Sequence, residues 1–239
     1  GNNARVVDEI ADRGGLVFSK TTTAEFAVHY IQAGGTLNPH NTSHITGTSS
    51  AGSAVAVACG ALPICLGTQT AGSIVRPASF CGAYGFKPSF GAIDRTGVLK
   101  TADTLDTIGL LGSDIYGLRK VFYEIFQKDR NYPNAKKYFD HYSCFKEKSK
   151  LKIGIVTNQF RLFVNYKSYV KDTFDQFINE LKAPELVFEE VPEIEFINEI
   201  HSLHDTIYCR SLSYYFEEEH ARGSGVSDLM TQMISKGEG

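Results

Sequence analysis

The stretch that decides the fold reads Gly47-Thr48-Ser49-Ser50-Ala51-Gly52-Ser53, followed after a short apolar link by Gly67-Thr68-Gln69-Thr70-Ala71-Gly72-Ser73. Both runs set small hydroxyl residues among glycines, beside segments with the composition of a core. Gly67 to Gly72 has the spacing of a phosphate-binding G-x-x-x-x-G loop, but Ser73 stands where that loop needs its lysine. The nucleophile elbow G-x-S-x-G fails in both runs, with Thr48 in the place of its first glycine and Val75 in the place of its second. What survives is serine chemistry of another kind. A hydroxyl is a poor nucleophile until a base takes its proton, and the oxyanion it creates needs N–H donors fixed in advance. A Thr-Ala-Gly-Ser run can offer such donors from its backbone, since its side chains are too small to block a carbonyl oxygen. A second serine nearby could relay the proton onward. Plain turns have the same composition, and spacing alone does not choose between the two.

Outward from these runs, strands alternate with helices. Val6 to Arg13 has helical spacing and stops at Gly14-Gly15, Leu16 to Phe18 reads as a short buried strand, and Thr22 to Tyr30 reads as a helix capped by Thr22 or Thr23. Gly34 to Ser50 is a long polar loop. Ser53 to Cys59 suggests a closely packed helix, and Pro63 to Gly67, Ala83 to Phe86 and Ile108 to Leu111 suggest core strands. Ser113 or Asp114 caps a helix to about Gln127, followed by a strand over Leu151 to Val156 and a helix over Tyr166 to Leu181. A further strand spans Leu186 to Val191, and Phe196 to Phe216 is mostly helical. This pattern predicts an α/β fold, a mixed β-sheet core covered by helices. One domain is expected over residues 1–239. Residues 1–117 carry 15 of the 51 charged residues and read as a glycine- and serine-rich core, while 118–239 carry 20 of the 28 aromatics and read as a helix-rich continuation.

Composition excludes several classes. The net charge of −3 leaves no basic footprint for nucleic acid. The longest apolar stretch, Ala54 to Leu66, is broken by Gly60 and Pro63 and is too short to span a bilayer, so no membrane association is expected. Five cysteines (Cys59, Cys65, Cys81, Cys144, Cys209) form no C-x-x-C pair, which reads as reduced thiols in a cytoplasmic protein.

Three segments carry a resemblance to a known family. They are Gly47 to Ser53, Gly67-Thr68-Gln69-Thr70-Ala71-Gly72-Ser73-Ile74-Val75-Arg76-Pro77-Ala78, and Phe80-Cys81-Gly82-Ala83-Tyr84-Gly85-Phe86-Lys87-Pro88. Together they closely resemble the amidase signature family. The likeness extends upstream to Phe18-Ser19-Lys20-Thr21-Thr22-Thr23-Ala24-Glu25-Phe26, similar to the family's GKTN-x-x-EF segment, and downstream to Gly97 and Leu105-Asp106-Thr107-Ile108-Gly109. The resemblance implies that Ser73 is the nucleophile that forms an acyl ester. It implies that Ser49 is a bridging serine on a cis peptide bond, that Thr70, Ala71, Gly72 and Ser73 supply the oxyanion hole, and that Ser50 helps orient the base. The implied activity is hydrolysis of a small carboxamide, with water or a captive ammonia acceptor completing turnover. No metal or organic cofactor is expected, because nucleophile, relay and donors are all protein groups.

The chain also departs from the family pattern. The family commonly has Asp-Thr-Gly-Gly-Ser where this chain has Gln69-Thr70-Ala71-Gly72-Ser73, which removes a possible ion pair with Arg76, itself one place later than in many members. The family's base is a lysine in an upstream KD-type motif. Lys20 is the only lysine before Ser49 and falls in the GKTN-like segment, so the base is expected outside this chain, which reads as a fragment truncated at both ends with weak or no activity alone. Two alternatives stand beside the stand-alone amidase: the glutaminase subunit of a tRNA-dependent amidotransferase, with its partner subunits, and a non-catalytic relic of the family. Other candidates read as structural. His40 and His44 share a loop without a glutamate between them, His201, His204 and Asp205 share an exposed helix face, Cys81 is a buried thiol, and Arg76 and Asp106 pin loops. Asn41-Thr42-Ser43 is a glycosylation sequon that matters only on secretion.

Overall fold

The computed structural model describes residues 2–28, 35–127, 150–156, 168–181, 183–191, 197–223 and 225–238. The chain packs as two compact units, Gly1–Phe139 with Ile207–Gly239, and Asp140–Thr206.

The first unit is organised by strand β3, Thr107–Gly112, whose six residues are all buried. It pairs antiparallel on one side with β1, Ile64–Gln69, and on the other with β2, Tyr84–Phe86. Alternate side chains leave opposite faces of a strand, and β3 uses both. Leu111 packs with Ala54 and Val57 of α2 (Ala51–Ala58), Cys65 of β1, and Ile74, Ala78 and Cys81 at α3 (Val75–Cys81). Ile108 and Leu110 pack instead with Val6 of α1 (Arg5–Asp12), with Ile93, and with Leu118 and Ile125 of α4 (Ile115–Ile125). Asp114 caps α4 by accepting the Gly117 N–H, as the sequence predicts.

Helix α2 also closes the free edge of β1. The Ser53 hydroxyl donates to the Leu66 carbonyl at 2.8 Å and the Ser50 hydroxyl to the Thr68 carbonyl at 3.4 Å. Close approach depends on two glycines that pair in register, Gly67 and Gly109. A Cβ on Gly67 would lie 2.9 Å from Ser50 Oγ, and one on Gly109 would lie 2.8 Å from Ile74 Cδ1. Side chains at either place would push α2 and the 70–74 loop off the sheet.

The C-terminal part of this unit adds a third cluster. Tyr208 and Leu212 of α6 (Ile197–Tyr215), with Phe216, Met230 and Ile234, pack on Ala102. Between these lies α7 (Glu217–Ala221), and Met230 and Ile234 belong to α8 (Asp228–Lys236). The Phe26 ring packs on Phe216 with centroids 4.8 Å apart. In the second unit, β4 (Leu151–Ile155) and β5 (Leu186–Glu190) pair in parallel, and α5 covers Ser168–Glu180.

Two expectations from the sequence are corrected. Leu16 to Phe18 forms no strand, and Leu16 and Phe18 are 87% and 76% exposed. A short apolar run becomes a strand only when another strand takes up its backbone groups, and none does so among the described residues. The predicted helix from Thr22 shrinks to a 3-10 turn, Glu25–Ala27, because neighbouring segments claim its backbone. The Thr22 carbonyl accepts from Gly52 N–H and the Ala24 N–H donates to the Ser49 carbonyl. His29, Tyr30, Gly34, Cys144, Tyr166, Lys167 and Phe196, which the predicted elements and thiols include, lie outside the described residues.

Candidate active site

The second glycine-serine run leaves the end of β1 and is held by its own third residue, the last of that strand. Gln69 is 5% exposed, its amide Nε2 donating to the Ala71 carbonyl at 2.7 Å. Its Oε1 accepts from Ile74 N–H at 2.8 Å and Val75 N–H at 3.1 Å. One side chain therefore brackets Ser73 on both sides. Among the described residues, no acceptor meets the N–H groups of Ala71, Gly72 or Ser73. Donors left uncommitted in a fixed loop are what a developing oxyanion requires.

A buried carboxylate anchors the start of the same loop. The Thr70 hydroxyl donates to Asp106 Oδ1 at 2.7 Å and lies 3.0 Å from the Thr101 hydroxyl. Asp106 Oδ2 accepts from the N–H groups of Thr101 and Ala102 at 2.7 and 3.0 Å, and Arg95 Nη1 lies 3.6 Å from that oxygen. Charge-assisted bonds of this kind are about twice as strong as neutral ones.

The first run reaches the second through the Ser50 N–H, which donates to the Ser73 carbonyl at 3.3 Å. Arg76 ties them again, with Nε donating to the Gly47 carbonyl at 2.6 Å and Nη2 to the Thr48 hydroxyl at 3.4 Å. Arg76 and Asp106 thus act as the loop-pinning residues read from the sequence. Ser49 is 1% exposed, and its hydroxyl donates to the Ala27 carbonyl at 3.1 Å. Ser73 itself is half-buried.

The family model described as Amidase matches residues 2–238. The chain belongs to the amidase signature family. It is 35% identical over 203 residues to the A-type subunit of the glutamyl-tRNA(Gln) amidotransferase of Halothermothrix orenii, a match covering 81% of this chain and 42% of that protein. The corresponding subunit of Clostridium botulinum strain Eklund 17B is 40% identical over 117 residues, 47% of this chain and 24% of that one. Among solved structures, one described as an amidase superposes with a TM-score of 0.83 at 24% identity, covering 99% of this chain and 52% of that one. The same amidotransferase subunit from Thermotoga maritima superposes at 0.74 with 23% identity, covering 99% and 52%. Both structural likenesses establish the amidase signature fold. The chain spans about two-fifths of the length of the first of these relatives and about half of each solved structure.

Against the amidase pattern, two points change. The cis peptide implied at Ser49 is absent, since no described peptide bond is cis. The chain turns instead through Thr48 (φ 47°) and Ser49 (φ 37°), both left-handed. The Ser49 carbonyl accepts from Ala24 and its hydroxyl donates to Ala27, so these two groups are committed to the 24–27 segment and neither bonds Ser73. The second point favours the loop: the family's aspartate is missing, yet Gln69 supplies three hydrogen bonds within it.

The remaining candidates fall into place around this centre. Cys81 is fully buried with its thiol 3.5 Å from the Thr46 carbonyl, and burial, followed by the nearby Cys59, pushes that thiol up from its ordinary value. His40 is bonded to the Cys81 carbonyl at 2.9 Å rather than paired with His44. Lys20 is exposed, and His201, His204 and Asp205 lie on α6. No helix among the described residues is long and apolar enough to cross a membrane. Sequence reasoning missed the clamp by Gln69, which it read only as a lost charge.

Proposed function

We propose that the whole protein hydrolyses a carboxamide through an acyl ester on Ser73. In this reading Ser73 Oγ attacks the amide carbon while its proton passes to Ser49 and on to a lysine outside this chain. Thr70, Ala71, Gly72 and Ser73 N–H groups hold the oxyanion, and Ser50 supports the relay. Ammonia leaves with the returned proton, and water cleaves the ester. The Ser49 hydroxyl takes up this relay by leaving the Ala27 carbonyl. The observation that carries the reading is the loop bracketed by Gln69, which presents the uncommitted donors of Ala71 to Ser73 while Ser50 N–H joins it to the first run. A cytoplasmic setting accords with the four described cysteines, all free thiols.

The test is amide hydrolysis by the full-length protein, with release of ammonia measured for wild type and Ser73→Ala. Loss of at least about a thousandfold in kcat is expected on removing a nucleophile. Equal turnover in both would overturn the reading. A fluorophosphonate should label Ser73, and full-length protein that neither turns over nor labels would leave a family scaffold without chemistry.

A second reading is favoured by the first relative: the chain as part of a glutaminase subunit that hands ammonia to partner subunits carrying aminoacyl-tRNA. Glutamine turnover that appears only with a co-purifying partner would select it, and small-amide turnover by the protein alone would exclude it.

A further inference from the structure

The turn that holds Ser49 is itself gripped from 202 positions downstream. Glu25 opens this turn, Glu25–Ala27. Its carboxylate takes two bonds from Ser227, Oε1 accepting the backbone N–H at 2.8 Å and Oε2 accepting the hydroxyl. Ser227 is the N-cap of α8, and its Oγ in turn accepts the Met230 N–H at 3.2 Å. Each hydrogen is given once, and the carboxylate meets the positive end of the helix. Bonds to an ionised acceptor are about twice as strong as neutral ones. Neighbouring residues are met from the same C-terminal part of the unit. The Phe26 ring packs on Phe216, and the Val28 carbonyl accepts from Tyr208 Oη at 3.2 Å.

The same turn bonds the first glycine-serine run. The Ala24 N–H donates to the Ser49 carbonyl at 3.3 Å, and the Ala27 carbonyl accepts the Ser49 hydroxyl at 3.1 Å. In sequence these two bonds flank Glu25 and Phe26. Phe26 and Ala27 have φ of 48° and 60°, and Thr48 and Ser49 are the other described non-glycine residues with positive φ. Left-handed residues other than glycine are strained and persist only when their surroundings fix them. Two strained turns therefore lean on one another, and the one at 25–27 is fixed from outside by Ser227 and Phe216.

We infer that Glu25 is a positioning residue: by gripping the N-terminus of α8 it keeps the 24–27 turn in the left-handed form that holds Ser49. The role in catalysis rests on the acyl-serine reading, but the coupling of α8 to the Ser49 turn does not.

The experiment compares wild-type full-length protein with Glu25→Ala, Ser227→Ala, the double variant, and Ile125→Val, which loosens the separate cluster around β3 and α4. Amide exchange is followed at Ala24, whose N–H bonds Ser49. Fluorophosphonate labelling of Ser73 is measured alongside and resolved into reagent binding and the rate of the bonding step. Losing a hydrogen bond to a charged group corresponds to about a tenfold change, so Glu25→Ala should speed exchange at Ala24 by that factor. It should slow the bonding step about tenfold and leave reagent binding within about twofold, because Ser49 handles the proton and not the reagent. Ser227→Ala keeps its backbone N–H and should do the same to a smaller degree. The double variant should match Glu25→Ala within about twofold. Ile125→Val should lower Tm yet leave exchange at Ala24 and the bonding step within about twofold of wild type. No change at Ala24 in Glu25→Ala, additive effects in the double variant, or the same pattern in Ile125→Val overturns the coupling. Faster exchange with an unchanged bonding step overturns the positioning role. Should Glu25→Ala not fold, Glu25→Gln, which keeps one acceptor, is judged by the same comparison. Wild-type protein that never labels would sink the acyl-serine reading, while the exchange rates would still decide the coupling.

Discussion

Gln69 holds the second glycine-serine run from inside, spanning Ala71 to Val75 with a single side chain. The first run has no such internal clamp. Its carbonyl at Gly47 is taken by Arg76, its Ser49 by the 24–27 segment and its Ser50 N–H by Ser73, all from other parts of the chain. Its backbone also carries two left-handed residues that are not glycine. Runs of nearly equal composition thus differ in what keeps them rigid. The second should respond sharply to one local substitution, and the first to changes at a distance.

Removing the carboxylate that anchors the second run should have the largest effect. Asp106→Ala strips Thr70, Thr101 and Ala102 of their acceptor and leaves Arg95 beside an empty site. Breaking a buried charged pair costs about 3–5 kcal/mol. For a chain of this size that is a fall in Tm of roughly 10 °C, measurable by scanning calorimetry. Asp106→Asn, which keeps an acceptor, should fall between. A loss as small as that of an exposed carboxylate would show that Asp106 does not anchor the second run.

Gln69→Ala is next in size. Three hydrogen bonds disappear around Ser73, two donors and one carbonyl losing their partner in a buried place. About 2 kcal/mol is expected in urea unfolding, with labelling of Ser73 slowed more than stability alone explains. Arg76→Met should slow labelling less, because the Gly47 carbonyl and Thr48 belong to the first run.

How far the sequence foretold this contrast depends on whether the cause was local. The Asp114 cap, the small-residue helix at Ala51–Ala58 and strands β1 to β3 were legible because capping and periodicity act within a few residues. Helix α3 was not, since Arg76-Pro77 reads as a break, although proline is tolerated in the first turn of a helix. Leu16 to Phe18 was misread because hydrophobicity says nothing about which strand would pair with it. In the site, Ser49 and Ser73 stood out through their motif. The geometry of the Ser49 turn and the Gln69 clamp depend on contacts that no short pattern encodes.

Alkaline pH sharpens the comparison more gently. Burial raises the thiols of Cys65 and Cys81, and Cys81 reaches from α3 to Thr46 just ahead of the first run. Below the range where free thiols ionise, about pH 8.5, both folded and unfolded chains hold these protons and the contribution to stability is complete. Above it the unfolded chain loses protons that the folded chain keeps, so stability falls as pH rises. Urea midpoints should therefore decline from pH 7 to about pH 10, and Cys81→Ser with Cys65→Ser should flatten the decline. An unchanged slope in that double variant would place the titrating groups elsewhere.

The smallest effect is the most direct contrast, a glycine placed at the threonine of each run. Thr48 pays for φ 47° with strain that glycine lacks, and its hydroxyl accepts only a long bond, 3.4 Å, from Arg76. Relief of roughly 1 kcal/mol is set against about 0.5 kcal/mol of extra freedom in the unfolded chain. Thr48 is 1% exposed, so about 0.8 kcal/mol of buried methyl is lost as well, and Thr48→Gly should stay within about 0.5 kcal/mol of wild type. Thr70→Gly carries the same entropic cost but also loses a 2.7 Å bond to the buried Asp106, and should be less stable by about 2 kcal/mol. A near-neutral Thr48→Gly beside a destabilised Thr70→Gly in urea unfolding at pH 7 would confirm that strain relief offsets the lost side chain in the first run and that side-chain anchoring governs the second. Equal losses in both variants would mean that the Thr48 hydroxyl also anchors its run and that the distinction between inner and outer support fails.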